Sequence, residues 1–263
     1  MTVFGWIDPL HSLCGFGVGA LVGMTGVGGG SMMTPLLVLV FGIHPAIAVG
    51  TDLLFAAITK TGGTLVHGLN QTVNWRITGR LAVGSVPAAT VSLVVANRFG
   101  LLAKESNSVL ISTAVGVALI LTAVTLLFRA RLVELAARQL PKFGPDRAAG
   151  LTILTGAVLG VLVSLTSVGA GAIGITGLIF LYPRLPTASI VGADLAHAVP
   201  LTLVAGLAHW MYGSVDEALL GSLLIGSLPG IGLGSYASTR VPERVLRTAL
   251  AATLLVVGGK LAF

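Results

Sequence analysis

Hydrophobic positions in this chain do not alternate with polar ones; they run together. Eight apolar stretches, at 12–42, 45–68, 80–97, 108–128, 150–182, 187–212, 218–238 and 246–263, are separated by short polar interruptions. About 20 apolar residues carry a helix across the hydrocarbon core, and a segment in lipid must satisfy its own backbone groups. The pattern predicts an all-α, polytopic integral membrane protein. Two stretches, 12–42 and 150–182, exceed the spanning length, and each is interrupted by a glycine cluster: Gly26-Val-Gly-Gly-Gly30 and Ser167-Val-Gly-Ala-Gly171. The sizeable polar linker, Arg129 to Gly150, contains Pro141 and Pro145 and lies near the middle.

That position prompts a search for a repeat. Asp52 in Val49-Gly-Thr-Asp-Leu53 matches Asp194 in Val191-Gly-Ala-Asp-Leu195, 142 positions later. The same offset relates His67 to His209, Val73 to Val215, and Gly84-Ser-Val-Pro87 to Gly226-Ser-Leu-Pro229. Pro45 with Pro186, and the two glycine clusters, align at 141. Apolar low-complexity sequence yields chance matches of Leu, Val and Gly, but not an ordered series of Pro, Asp, His and Pro. The chain is therefore read as two homologous halves, repeat 1 at 12–128 and repeat 2 at 150–263, joined by a basic linker at 129–149.

If both long stretches cross fully, the halves are parallel. If each dips in and returns as two half-helices, each half crosses three times and the halves are inverted. Basic residues mark cytoplasmic loops. With the linker inside, re-entrant segments place eleven basic residues inside (Arg76, Arg80, the five of the linker, Arg184, Arg240, Arg244, Arg247) and three outside (Arg98, Lys104, Lys260). Full crossings give eight against six. The bias predicts inverted repeats, a glycine-broken re-entrant segment in each, and a single membrane domain over 1–263.

Composition agrees. The chain is 55% hydrophobic and 9% charged, against about 25% charged in soluble domains. The net charge of +6 lies in short loops between apolar runs, which argues against a nucleic-acid partner. Cys14 is the lone cysteine, so no intrachain disulfide is expected. Met1 to Leu13 has no basic leader and no cleavage signature, so the first apolar segment is expected to be retained.

Asp52, Lys60 and Asp194 are the charged residues well inside apolar stretches. Each costs about 2.5–3.5 kcal/mol at mid-membrane on insertion scales and needs a partner, a cavity or a function. The Asp pair has two readings: helix capping near a break, or symmetric carboxylates that bind a proton or cation. Asp194 and His197, spaced i, i+3, share a helix face, which suits a proton relay. Without a third clustered ligand no metal site is assigned. Lys60 either snorkels toward the interface or offers a cation to an anionic substrate; its repeat-mate is Thr202. Broken helices present free N–H groups and partial positive charge. Gly28, Gly29, Gly30 and Ser31, with Gly169, Ala170 and Gly171, are thus candidate anion cradles, the alternative being close helix packing through small residues. Thr51, His67, Thr202 and His209 are secondary candidates, and His11 and His44 look interfacial. No cofactor is implied, and no motif links a nucleophile to a base, so no enzyme is expected. A small inorganic or organic anion and the lipid bilayer are the expected partners. Cation or metal transport through the Asp/His set, and an anion channel, stand as alternatives.

The run Gly26-Val-Gly-Gly-Gly-Ser31, Pro35, His44-Pro-Ala-Ile-Ala-Val-Gly-Thr-Asp-Leu53, His67 and Val73-Asn-Trp75, with Gly84-Ser-Val-Pro87 and its copy Gly226-Ser-Leu-Pro-Gly230, resembles the TauE/SafE sulfite exporter family. The resemblance covers nearly the whole chain. It implies a multi-pass transporter of the inner (plasma) membrane, exporting sulfite, sulfonates or related sulfur anions, with Ser167 and Ala170 standing where the first half has glycines.

Overall fold

The computed structural model describes residues 7–25, 30–69, 71–102, 108–138, 144–237 and 243–262. It is all-α, as the apolar pattern predicts. The described residues form α1 (Pro9–Thr25), α2 (Gly30–Leu39), α3 (Pro45–Leu69), α4 (Trp75–Arg98), α5 (Ser108–Arg138), α6 (Pro145–Thr166), α7 (Ala172–Leu181), α8 (Thr187–Met211), α9 (Glu217–Ala237) and α10 (Glu243–Ala262). Five of them, α4, α5, α6, α8 and α9, include windows long and apolar enough to cross a membrane. At 25 residues α3 is as long as α8, but Asp52 and Lys60 lower its hydropathy.

Each over-long stretch is two helices. The second breaks where Ser167 caps α6 in a left-handed conformation (φ 58°), its N–H donating to the Val163 carbonyl. Gly169 follows at φ 107°, which disfavours any residue with a Cβ. Gly28 and Gly29, in the first break, lie outside the described residues. The basic stretch after Arg129 is helical as far as Arg138, continuing α5.

Small residues let the helices touch backbone to backbone. A Cβ on Gly15 or Gly19 would strike the carbonyl of Leu223 or Ser227, and one on Gly226 or Gly230 that of Ser12 or Phe16, so α1 runs parallel to α9. The same seam recurs between α6 and α4: Gly156 and Gly160 abut the carbonyls of Leu81 and Ser85, and Gly84 that of Ile153. These contacts match the first set residue for residue at the repeat offsets.

The central pair, α3 and α8, runs the other way. Gly63 meets Leu195 and Gly206 meets Leu54, while Gly50 abuts the Ser214 carbonyl and Gly192 the Thr72 carbonyl. The helices are antiparallel, and each end receives the loop that closes the other. Levels midway between these contacts fall near Lys60 on α3 and Thr202 on α8. Since α3 and α4 are joined by a short loop, as are α8 and α9, the directions chain together. α1 enters in the direction of α3, and α6 in the direction of α8. The intervening α2 and α7 must therefore return toward the side from which α1 and α6 came.

Two outcomes follow. Gly84→Leu and Gly226→Leu should each force a helix seam apart and lower thermal stability, by about 1–3 kcal/mol or more on overpacking precedent. Gly79→Ala, with open space around its Cβ, should be neutral; both are read by the melting of purified protein. In a Cys14→Ser background, Cys at exposed Gln71 and at exposed Ala218 should label from opposite sides of the membrane, because α3 and α8 end at opposite faces of the bundle. Labelling of both from one side would contradict the antiparallel pair.

Candidate substrate site

The polar interior is built on the α3–α8 pair. Asp52 lies two turns into α3 and is fully buried. Its Oδ2 accepts a 2.6 Å hydrogen bond from the Thr34 hydroxyl on α2, itself fully buried. The Ser167 hydroxyl at the α6–α7 break lies next to Asp52 without completing a hydrogen bond. Asp52 thus links the returning helix of the first half to the break of the second.

Asp194 occupies the matching position on α8 and is buried. Its Oδ1 rests against Gly174 in the first turn of α7, where a Cβ would collide with it. Glycine there is what lets the carboxylate approach the start of that half-helix, whose partial positive charge favours it. One turn further along α8, His197 is fully buried and its Nε2 lies 2.8 Å from the Ser85 hydroxyl on α4. A second bond between the same helices, from the Thr78 hydroxyl to the Ala193 carbonyl at 3.2 Å, fixes this face of α8 on α4.

Lys60 is 7% exposed and stands between the two carboxylates. It lies within electrostatic reach of Asp194, Asp52 and His197. Among the described residues it closes no ion pair within 4 Å. Asp52 Oδ1, Ser167 Oγ, Asp194 Oδ1 and His197 Nδ1 are enclosed without hydrogen-bond partners among the described residues. Each such atom costs about 1–3 kcal/mol, so the enclosed group weighs against stability.

The remaining sequence candidates are placed differently. The Thr51 hydroxyl accepts from the Asp216 amide and ties down the α8–α9 loop. His67 Nδ1 meets the Thr72 hydroxyl at 2.8 Å, and His209 Nε2 donates to the Ser164 carbonyl at 3.0 Å. Both histidines sit where a loop N–H closes back on them, Thr72 on the His67 carbonyl and Ser214 on the His209 carbonyl, so they anchor helix ends. The Thr202 hydroxyl donates to the Ala198 carbonyl at 2.8 Å within α8. Gly30 opens α2 together with Ser31, Ala170 is buried in the second break, and Gly171 caps α7. At the periphery, His11 pairs with Asp8 at 3.1 Å.

Sequence reading alone misses Thr34, Ser85 and Gly174 as site residues. Ser85 carried a signal, since it stands inside the repeated Gly-Ser-x-Pro motif. A lone Thr before Pro35 and a lone Gly in an apolar run carried none.

The sequence matches the sulfite exporter TauE/SafE family over residues 12–261. A probable membrane transporter protein of Bacillus subtilis, YjnA, is 41% identical over 252 residues, covering 95% of this chain and 97% of that one. A probable membrane transporter protein of Xylella fastidiosa is 27% identical, covering 85% and 82%. One of Methanocaldococcus jannaschii is 26% identical, covering 95% and 93%. No solved structure matches the chain significantly. With the match spanning almost every residue and several membrane-length helices in the fold, this chain belongs to the TauE/SafE sulfite exporter family and is a multi-pass protein of the plasma membrane.

Proposed function

We propose that this protein is a secondary transporter that exports small sulfur-containing anions, such as sulfite or organosulfonates, by alternating access. The observation that carries the reading is Lys60: an enclosed cation near mid-level of the central antiparallel pair. The family description and the relatives' names as membrane transporters support the same class of activity.

In this reading the halves 12–128 and 150–263 are inverted repeats around the linker 129–149. Support comes from the matched glycine seams and from direction. A twofold that relates antiparallel α3 and α8 lies across the helices, in the membrane plane, and not along the membrane normal. The eleven-to-three basic bias fits that arrangement. The substrate oxyanion sits beside Lys60, with the breaks at Gly28–Ser31 and Gly169–Gly171 as anion cradles at the starts of α2 and α7. Asp52 and Asp194 accept protons, His197 on the same helix face as Asp194 relays them, and rocking of the half-helices opens the site to one side and then the other. A cation carrier built on the Asp/His set would place Lys60 in the path of its own substrate, so the anion reading is preferred. A channel would use the same residues without the rocking step.

Proteoliposome flux assays with sulfite, sulfonates, thiosulfate and divalent metals in turn test the substrate class. Lys60→Met should insert and fold, because it removes a buried charge at similar length, and should lose anion flux by about tenfold or more (about 1.4 kcal/mol or more). Lys60→Arg should retain some binding with altered selectivity, since the guanidinium keeps the charge but changes the geometry. A purified Lys60→Met protein with unchanged anion affinity would return Lys60 to a snorkelling side chain.

Asp52→Asn and Asp194→Asn keep shape and much of the hydrogen bonding while removing the titratable charge. Each should remain folded and lose the pH dependence of transport. Unaltered flux and pH dependence in well-folded variants would make the pair structural, with Asp52 a clamp on Thr34.

A further inference from the structure

The buried centre holds an odd number of charges: one lysine and two carboxyls. Among the described residues, the titratable groups facing it come from α3 (Asp52, Lys60) and α8 (Asp194, His197). The packed neighbours present neutral groups: Thr34 from α2, Ser85 from α4, Ser167 from the α6–α7 break and Gly174 from α7. The ionisable residues of α4, α5, α6 and α9 lie toward their helix ends, and His67 and His209 are held near the ends of α3 and α8.

An enclosed cluster at membrane depth does not sustain unbalanced charge. With Lys60 balanced by one aspartate, the other is accommodated only with a proton on it. When a substrate anion takes over Lys60, the aspartate that Lys60 leaves loses its counter-ion and must itself take up a proton. The charge added by the anion is then cancelled by the proton. A doubly charged anion would bring a second negative charge for which the site has no further cation. His197 does not supply one: it lies within electrostatic reach of Lys60, so a proton on it would set two cations together.

We propose that the site takes a singly charged oxyanion, a hydrogensulfite or a sulfonate, together with one proton, so that each transport step moves no net charge. The proton goes to whichever carboxylate the anion displaces from Lys60. The proposal rests on the anion-carrier reading above and narrows it, because a fully ionised dianion such as sulfate is refused.

The test is calorimetric titration of the full chain in lipid nanodiscs with methanesulfonate, whose charge is fixed across the working pH range, in two buffers of different ionisation enthalpy. The expected result is uptake of about one proton per anion bound, and an affinity that weakens about tenfold for each unit of rising pH. Sulfate should compete at least about a hundredfold more weakly than methanesulfonate, the factor that about 2.7 kcal/mol corresponds to. Methanesulfonate binding with no proton taken up, or sulfate competing equally, overturns the one-proton monoanion site while leaving the anion carrier standing. Failure of both methanesulfonate and sulfite to bind, or unchanged methanesulfonate affinity in Lys60→Met, overturns the carrier reading itself.

Discussion

Hydrocarbon offers no partner to a bare charge or to a broken helix, and this one constraint organises the molecule. Helical breaks and ionised side chains persist only where other parts of the chain enclose them. Here the two kinds of exception are gathered at one place. Thr34 on α2 and Gly174 in the first turn of α7 lie against the aspartates of α3 and α8, and Lys60 lies between those aspartates. A helix start and a carboxylate are complementary, so the break before α7 and the charge of Asp194 help to hold each other.

Close backbone packing makes the enclosure possible. The seams of α1 with α9 and of α4 with α6 leave no room for side chains at their glycines. Each pairs a helix of one half with a helix of the other, so the halves are laced together while α3 and α8 face one another at the centre. Glycine costs a soluble helix stability; in lipid, with little hydrophobic drive between helices, it is the residue that brings backbones into contact. The glycines of these seams are packing surface.

The frame is matched, but the groups inside it are not. Asp52 and Asp194 occupy equivalent positions, about 12 Å along the helix from Lys60 and Thr202 respectively at helical rise. Only one of the central pair is charged. A single cation between two equivalent carboxylates can be balanced by either, which is the choice the proposed alternating-access cycle would use. The supporting bonds differ too: Asp52 is held by the Thr34 hydroxyl, whereas Asp194 rests on Gly174 and has His197 and Ser85 one turn away.

Much of this was legible in the sequence, because hydrocarbon imposes its demands locally. The apolar lengths set an all-α membrane fold, the second glycine cluster marked the break between α6 and α7, and the offset of Asp52 from Asp194 reappears in the matched glycine seams. The cost of a charge in lipid singled out Asp52, Lys60 and Asp194 without any tertiary information. What the sequence left open is which polar groups meet. Thr34 lies 18 positions from the aspartate it binds and Ser85 lies 112 from His197, separations on which no local periodicity bears. His67 and His209 show the converse: their matched spacing marked them as candidates, but only the fold places them against Thr72 and Ser164 at helix ends. The basic-residue bias predicted opposite directions for α3 and α8, but not which residues of the two helices meet. Only the glycine faces, engaged from opposite ends, set that register and brought Lys60 between the carboxylates.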